Sequence, residues 1–294
     1  MITLEVKDFF LTFENHLNVN PAVAPKHYQE CLQAAFPGPL SPRIITEIRS
    51  TLARDGYAVI ATDLDDFAPA TPTSLEDNYD GPYFGEAILS FIATIIGDVQ
   101  ILPYQHNGRP FHDIMPLSAF KDRQTSGSSA VLLEMHTELS FVESPPEYLM
   151  LYCVRPDLAG VAETHLYDSQ FALPALSAYH CADLASPSYQ FLLDENVTDG
   201  YSENLPYLPI IDRQTSRLLR FDIDTCRPMD GDAKEAARAL EIALLAKRIS
   251  IRLRFGDLLI VDNKRMVHSR SPFAAKHDGS DRWLKRALIR SHQH

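Results

Sequence analysis

The sequence predicts a mainly β fold with flanking helices, of the jelly-roll or double-stranded β-helix type. From about Val131 onward eight short apolar runs follow one another: VLLEMHTELSF, EYLMLYCV, AETHLYD, LPYLPII, RLLRFDI, SIRLRF, DLLIVDN and RWLKRALI. Runs of strand length with turn residues between them are what a sandwich or barrel requires. The 20 prolines and 12 glycines are scattered, as in a loop-rich β protein. Helical periodicity is confined to the N-terminal third and one later insertion.

Taken in order, Ser41-Pro42 starts a helix, with Ile44, Ile45, Ile48 and Leu52 on one face and Gly56 as its stop. Tyr57-Ala58-Val59-Ile60 reads as a strand. A second helix is expected from about Phe84 to Ile96, carrying Ile88, Leu89, Ile92 and Ile95 inward and ending at Gly97-Asp98. The strand-like runs then take over. One helical insertion interrupts them, with Asp232 expected as N-cap and Ala236, Leu240, Ile242, Ala243 and Leu245 in a helix reaching Lys247. No linker or repeat divides the chain. The expectation is one domain over residues 1–294, with N-terminal helical support over about 1–100 and a jelly-roll core over about 100–294.

Composition excludes several classes. The formal charge of −12 opposes phosphate backbones, and the one dense basic cluster, Lys285, Arg286 and Arg290, lies in an alternating apolar segment. Nucleic acid is therefore not expected as a partner. No run reaches the ~18 consecutive apolar residues of a membrane span, and MITLEVKDFF lacks the basic and apolar regions of a secretory signal, so a cytoplasmic protein without a membrane partner is expected. Cys31, Cys153, Cys181 and Cys226 are widely spaced with no CxxC pair, and read as reduced structural thiols, Cys153 as a small core residue.

His136-Thr137-Glu138 is the sharpest local feature. Side chains of a strand alternate faces, so His136 and Glu138 point the same way and can grip one cation. The pattern alone is weak, since a histidine two residues before an acid arises by chance about 1.5 times in such a composition. His268, which follows the apolar run of GDLLIVDNKRMVHSRSPF, supplies a third candidate that a jelly roll can bring alongside. Two neutral imidazoles and a carboxylate leave about half of an octahedral shell open, which suits ferrous iron; zinc held by two histidines and a glutamate is the competing reading.

The stretches SSAVLLEMHTELSFVESPPEYLMLYCVRPD and GDLLIVDNKRMVHSRSPFAAKHDGSDRWLKRALIR resemble the clavaminate synthase group of Fe(II)/2-oxoglutarate oxygenases, nearest in look to the hydroxylases of free arginine and asparagine. The resemblance covers about residues 120–170 and 215–290. It implies iron held by His136, Glu138 and His268, with Arg282 binding the distal carboxylate of 2-oxoglutarate and Thr164 giving it a hydroxyl. A fixed, permanently charged guanidinium suits that role. It further implies that Arg286, with Ser126 as helper, meets the substrate's α-carboxylate, and that Asp222 meets its side chain, with Asp224, two residues on, placed to share the task. Gln105 is a weaker candidate for contact to the amino acid, a turn-supporting role being equally expected. Apart from the resemblance, Ser126 is an ordinary loop serine and Thr164 a β-branched strand residue.

The function implied is a dioxygenase using Fe(II), 2-oxoglutarate and O2 to hydroxylate an unactivated carbon of a free amino acid or derivative. A basic or amide side chain and the β-carbon are the first choices, with succinate and CO2 as co-products. The carboxylate at Glu138 disfavours halogenation, for which related enzymes carry a small residue there. The alternatives are a taurine-type oxygenase acting on another small acid, and a catalytically silent jelly-roll metal-binding or interaction protein. His106, His112, His165, His180 and His277 lack a partner at ligand spacing and read as structural or surface groups. His292 and His294 read as a frayed tail. Trp283 is expected in the core, on the strand face opposite the two arginines.

Overall fold

The apolar run of the DLLIVD segment lies in the interior of the larger of two main sheets, where burial on both faces accounts for its lack of polar alternation. The computed structural model describes residues 2–5, 19–21, 27–28, 41–64, 69–75, 83–105, 108–193, 205–212 and 218–292. Among them the strands are β1 (Ile2–Leu4), β2 (Tyr57–Thr62), β3 (Gly97–Val99), β4 (His112–Ile114), β5 (Leu133–His136), β6 (Tyr148–Arg155), β7 (Thr164–Asp168) and β8 (Tyr189–Phe191). There follow β9 (Ile211–Asp212), β10 (Leu218–Leu219), β11 (Cys226–Pro228), β12 (Arg248–Ile251), β13 (Asp257–Asp262), β14 (Met266–Arg270) and β15 (Trp283–Ser291). The longer helices are α1 (Pro42–Asp55), α2 (Phe84–Ile96), α3 (Ala178–Leu184) and α4 (Gly231–Leu245).

Seven strands form the larger sheet in the order β1-β2-β13-β6-β15-β3, with β4 also paired to β15. A second sheet of four strands runs β12-β7-β14-β5, and β9 with β10 and β8 with β11 make two small ribbons. Alternation sorts the larger sheet's side chains into two cores. Ala58, Ile60, Met150, Tyr152, Leu258, Ile260, Trp283, Ala287 and Ile289 face α1 and α2, meeting Ile48, Leu52, Ile88, Leu89 and Ile92. Leu149, Leu151, Cys153, Leu259, Val261, Leu284 and Leu288 face the other way, towards Leu166, Met266 and α4. The site forms on this second side, between the two sheets.

Both early helices appear where their apolar spacing predicts them. Ser41 Oγ accepts from the Ile44 amide, and α1 ends at Gly56 in the left-handed conformation, φ 76°. Several expectations need correction. α4 is capped by Asp230, not Asp232: Asp230 has extended backbone and its carboxylate accepts from the Ala233 amide, leaving Asp232 in the first turn, and the helix ends at Leu245. LPYLPII and RLLRFDI yield only the two-residue strands β9 and β10, and SIRLRF only part of β12. Conversely β14 is a fully buried strand in a stretch, MVHSR, whose polar residues hide it. The first hundred residues do more than buttress, since β1, β2 and β3 all join the larger sheet.

Cys153, Cys181 and Cys226 are free thiols; Cys31, His106 and His294 lie outside the described residues. Lys285 is buried on the helix side of β15, its ammonium 2.8 Å from Glu86 of α2 and 2.6 Å from Asp113 of β4, while Trp283 Nε1 donates to Asp113 at 2.6 Å. Burial opposes the charge of Lys285, yet Glu86 and then Asp113 hold its pKa above the ordinary lysine value. Among the described residues no helix is long and apolar enough to cross a membrane.

Candidate active site

β14 pairs antiparallel with β5 so that His268 stands directly opposite His136, which puts both rings on one face with centroids 4.2 Å apart. His136 Nδ1 lies 2.8 Å from the Glu134 carbonyl. A carbonyl only accepts, so Nδ1 carries the proton and Nε2 presents its lone pair. Glu138 lies beyond the end of β5, which stops at His136, so strand alternation is not what aims it. Instead the buried Asn263, just after β13, brackets its peptide unit: Asn263 Oδ1 accepts from the Glu138 amide at 2.8 Å, and Nδ2 donates to the Glu138 carbonyl at 3.1 Å and the Pro146 carbonyl at 2.9 Å. Leu139 then takes a left-handed conformation, φ 55°, rare for leucine, and turns the chain away.

One ligating atom from each of His136, Glu138 and His268 lies within 4.8 Å of the other two, the one such group among the described residues. His268 Nε2 and Glu138 Oε1 are 3.6 Å apart, too long for a hydrogen bond and suited to two donors sharing an ion. Burial, reinforced by the neighbouring His136, pushes the His268 imidazole down to about 4. Burial works against the charge of Glu138, but Arg286 and then His268 hold its carboxyl well below the usual range. At neutral pH the set is therefore a neutral imidazole and an ionised carboxylate beside His136, the donor chemistry a divalent cation with mixed nitrogen and oxygen preference takes.

These groups open onto a cavity of about 360 Å³ between the sheets, which also has Ser126, Thr164, Asp222, Asp224, Arg270, Arg282 and Arg286 in its lining. Gln105 does not line this cavity: its backbone N–H donates to the Leu102 carbonyl and its backbone carbonyl accepts from the Gly108 N–H, the turn-supporting arrangement. Thr164 opens β7. Arg282, Leu284 and Arg286 alternate onto the cavity side of β15 and its approach, and Trp283 is fully buried on the other face. Asp222 pairs with His136 in an isolated antiparallel backbone bridge, its carboxylate accepts from the Thr225 amide at 2.8 Å, and burial raises its pKa.

Arg286 Nη1 is 3.2 and 3.1 Å from the two carboxylate oxygens of Glu138, while Nη2 and Nε reach His112 Nδ1 at 2.9 and 3.3 Å. Arginine only donates, so His112 Nδ1 accepts, and its Nε2–H donates to the Arg109 carbonyl at 3.0 Å. Sequence reasoning set His112 aside for lack of a ligand partner; its partner is an arginine held by the fold. It also missed Asn263 and Arg270. For Arg270 a signal existed, since it follows His268 by two positions on a strand and shares its face. Arg282 forms no hydrogen bond or ion pair with another described residue, and burial lowers its pKa. Burial and then the charge of Arg282 push Arg270 down to about 9.

Two imidazoles and one carboxylate at the edge of an open cavity define a mononuclear metal site of the facial-triad class. Residues 27–288 match the family model described as taurine catabolism dioxygenase TauD, TfdA family, and the chain belongs to that family. It is 30% identical over 227 residues to L-lysine 3-hydroxylase of Catenulispora acidiphila, covering 75% of this chain and 63% of that protein. It is 31% identical over 245 residues to clavaminate synthase 2 of Streptomyces clavuligerus, covering 81% and 75%. A solved structure of asparagine oxygenase in complex with Fe(II), 2S,3S-3-hydroxyasparagine and succinate matches with a TM-score of 0.87 at 26% identity, covering 98% of this chain and 92% of that one. The chain spans 63% and 61% of the length of two of the curated relatives it matches.

Proposed function

We propose that this chain is an Fe(II)- and 2-oxoglutarate-dependent dioxygenase that hydroxylates a free amino acid or close derivative, with the β-carbon as the position of attack. One observation carries the reading: two imidazoles and a carboxylate converge within 4.8 Å at the wall of a cavity that also holds a buried arginine, Arg282, in no ion pair with another described residue. The solved relative holds iron, succinate and a 3-hydroxylated amino acid, and the lysine enzyme is named for the same carbon. We read residues 1–294 as one domain and its two facing sheets as the jelly roll.

His136, Glu138 and His268 hold the iron. When bound, iron with 2-oxoglutarate supplies the oxidising chemistry: O2 is reduced, the cosubstrate becomes succinate and CO2, and one oxygen atom enters a C–H bond. Arg282 and Thr164 bind the distal carboxylate of 2-oxoglutarate. Arg286 and Ser126 anchor the substrate's α-carboxylate. Because Arg286 touches the metal ligand Glu138, an α-carboxylate on that guanidinium lies next to the metal, and the carbons nearest the backbone come within reach first. Asp222, with Asp224, faces the side chain; a part-buried carboxylate needs a donor, which favours a cationic or amide group.

The test is succinate release over a panel of free amino acids and small sulfonates, with and without Fe(II) and 2-oxoglutarate. Iron- and cosubstrate-dependent turnover of basic or amide amino acids is expected. Turnover of sulfonates alone would transfer the chain to the taurine-type reading, and no dependence on iron in any arm would overturn the enzyme. His136→Ala and His268→Ala should abolish ferrous binding in anaerobic titration; full activity in either contradicts the ligand set.

A further inference from the structure

Arg270 sits in the cavity wall two residues after His268, and in the register of β14 with β7 it stands directly opposite Thr164. Its guanidinium is buried, and the partners it has are uncharged: the Ser128 carbonyl, Ser128 Oγ at 2.9 Å, the Val131 carbonyl at 3.2 Å and the face of the Phe273 ring, 5.1 Å from the guanidinium carbon. Nε is buried with no partner among the described residues, and no described carboxylate pairs with the side chain. Arg282, lining the same cavity, is close enough for the two charges to act on one another. Burying one guanidinium without a counter-ion is costly, and placing two together adds repulsion. A chain that needed only to tie residues 128–131 to β14 could do so with a neutral donor.

We propose that Arg270 is a positioning residue for the cosubstrate, its fixed charge acting with Arg282 and Thr164 to draw the distal carboxylate of 2-oxoglutarate into this end of the cavity. Arg282 makes the direct fork, and Arg270, locked by Ser128 and Val131, supplies a second positive charge behind it. The assignment rests on the functional reading above and extends it to a residue outside the expected set.

The test separates charge from clamp. Anaerobic titrations of the Fe(II)-loaded protein, followed by the visible absorption of the iron–2-oxoacid complex, would compare 2-oxoglutarate with 2-oxopentanoate, in which a methyl replaces the distal carboxylate. In Arg270→Gln the preference for 2-oxoglutarate over 2-oxopentanoate should shrink by about tenfold or more, because only one ligand carries the charge that Arg270 meets. Arg270→Lys keeps the charge while losing most of the clamp, and should keep the preference within about threefold. Equal weakening of both ligands in Arg270→Gln, or no change, would overturn the proposal. Should Arg270→Gln not fold, Arg270→Lys decides, since loss of the preference there assigns the role to the clamp. If the unmutated protein shows no iron-dependent binding of 2-oxoglutarate, it is the functional reading that fails.

Discussion

At the residue scale, a metal ligand is only as well placed as the groups that hold it. His136 takes its orientation from the Glu134 carbonyl, and Glu138 takes its position from Asn263. Asn263→Ala removes all three hydrogen bonds to the Glu138 and Pro146 peptides. It should weaken divalent metal binding by about 10- to 100-fold while the fold persists, as loss of such outer partners usually does. Titration with Mn(II) or Co(II), alongside circular dichroism, measures both. His112 holds Arg286, which itself touches Glu138. His112→Phe leaves the Nε and Nη2 edge of Arg286 without its acceptor, and should raise KM for the amino acid by about tenfold with little change in substrate-free decay of 2-oxoglutarate. An equal rise in KM for both would place the effect elsewhere. The triad was legible only with His268 and the two long motifs set beside His136 and Glu138, since a histidine two residues before an acid is common by chance. Asn263 and His112 were not, since hydrogen bonding to a backbone or to an arginine imposes no spacing that a reader of the chain can recognise.

Elements were legible in proportion to how far their stability depends on local chemistry. α1 begins and ends where its serine, proline and glycine predict, because caps act within one turn. α4 shows the limit, with two aspartates two positions apart and only backbone conformation to choose between them. Asp230→Ala should cost about 1 kcal/mol and Asp232→Ala less than half of that, by chemical denaturation, because only the former loses a cap. The reverse order would restore Asp232 as the cap. Gly56→Ala should cost more than either, about 1–3 kcal/mol: its φ of 76° disfavours a side chain, and an added Cβ would meet Met266 Sδ at 2.6 Å. β14 escaped the pattern because its polar residues, His268, Ser269 and Arg270, are buried for a purpose other than packing.

On the scale of the whole molecule, the strand β15 joins two environments. One face contributes Arg286 to the cavity, and the other buries Lys285 against Glu86 and Asp113 beneath α2. Lys285→Met should destabilise the chain by about 3–5 kcal/mol, because it strands buried carboxylates rather than because the ion pair is itself strong. Glu86→Gln in that background should recover part of the loss in urea unfolding, and failure to do so would contradict this account. A bound metal should also register globally. At a free Mn(II) concentration 100 times Kd the added stability is about 2.7 kcal/mol, visible as a raised Tm that His268→Ala abolishes.

The sequence by itself determined the mainly β texture, the two early helices and the identity of the groups able to ligate a metal, since these follow from periodicity, caps and donor chemistry along short stretches. Tertiary structure alone decided that His268 faces His136, that Glu138 is aimed by an asparagine just after β13, and that Arg270 meets Thr164 across a strand pair. Those are contacts between residues far apart in the chain, and nothing short of the packed sheets brings them within the few ångströms over which a proton, a charge or a ligand can be shared.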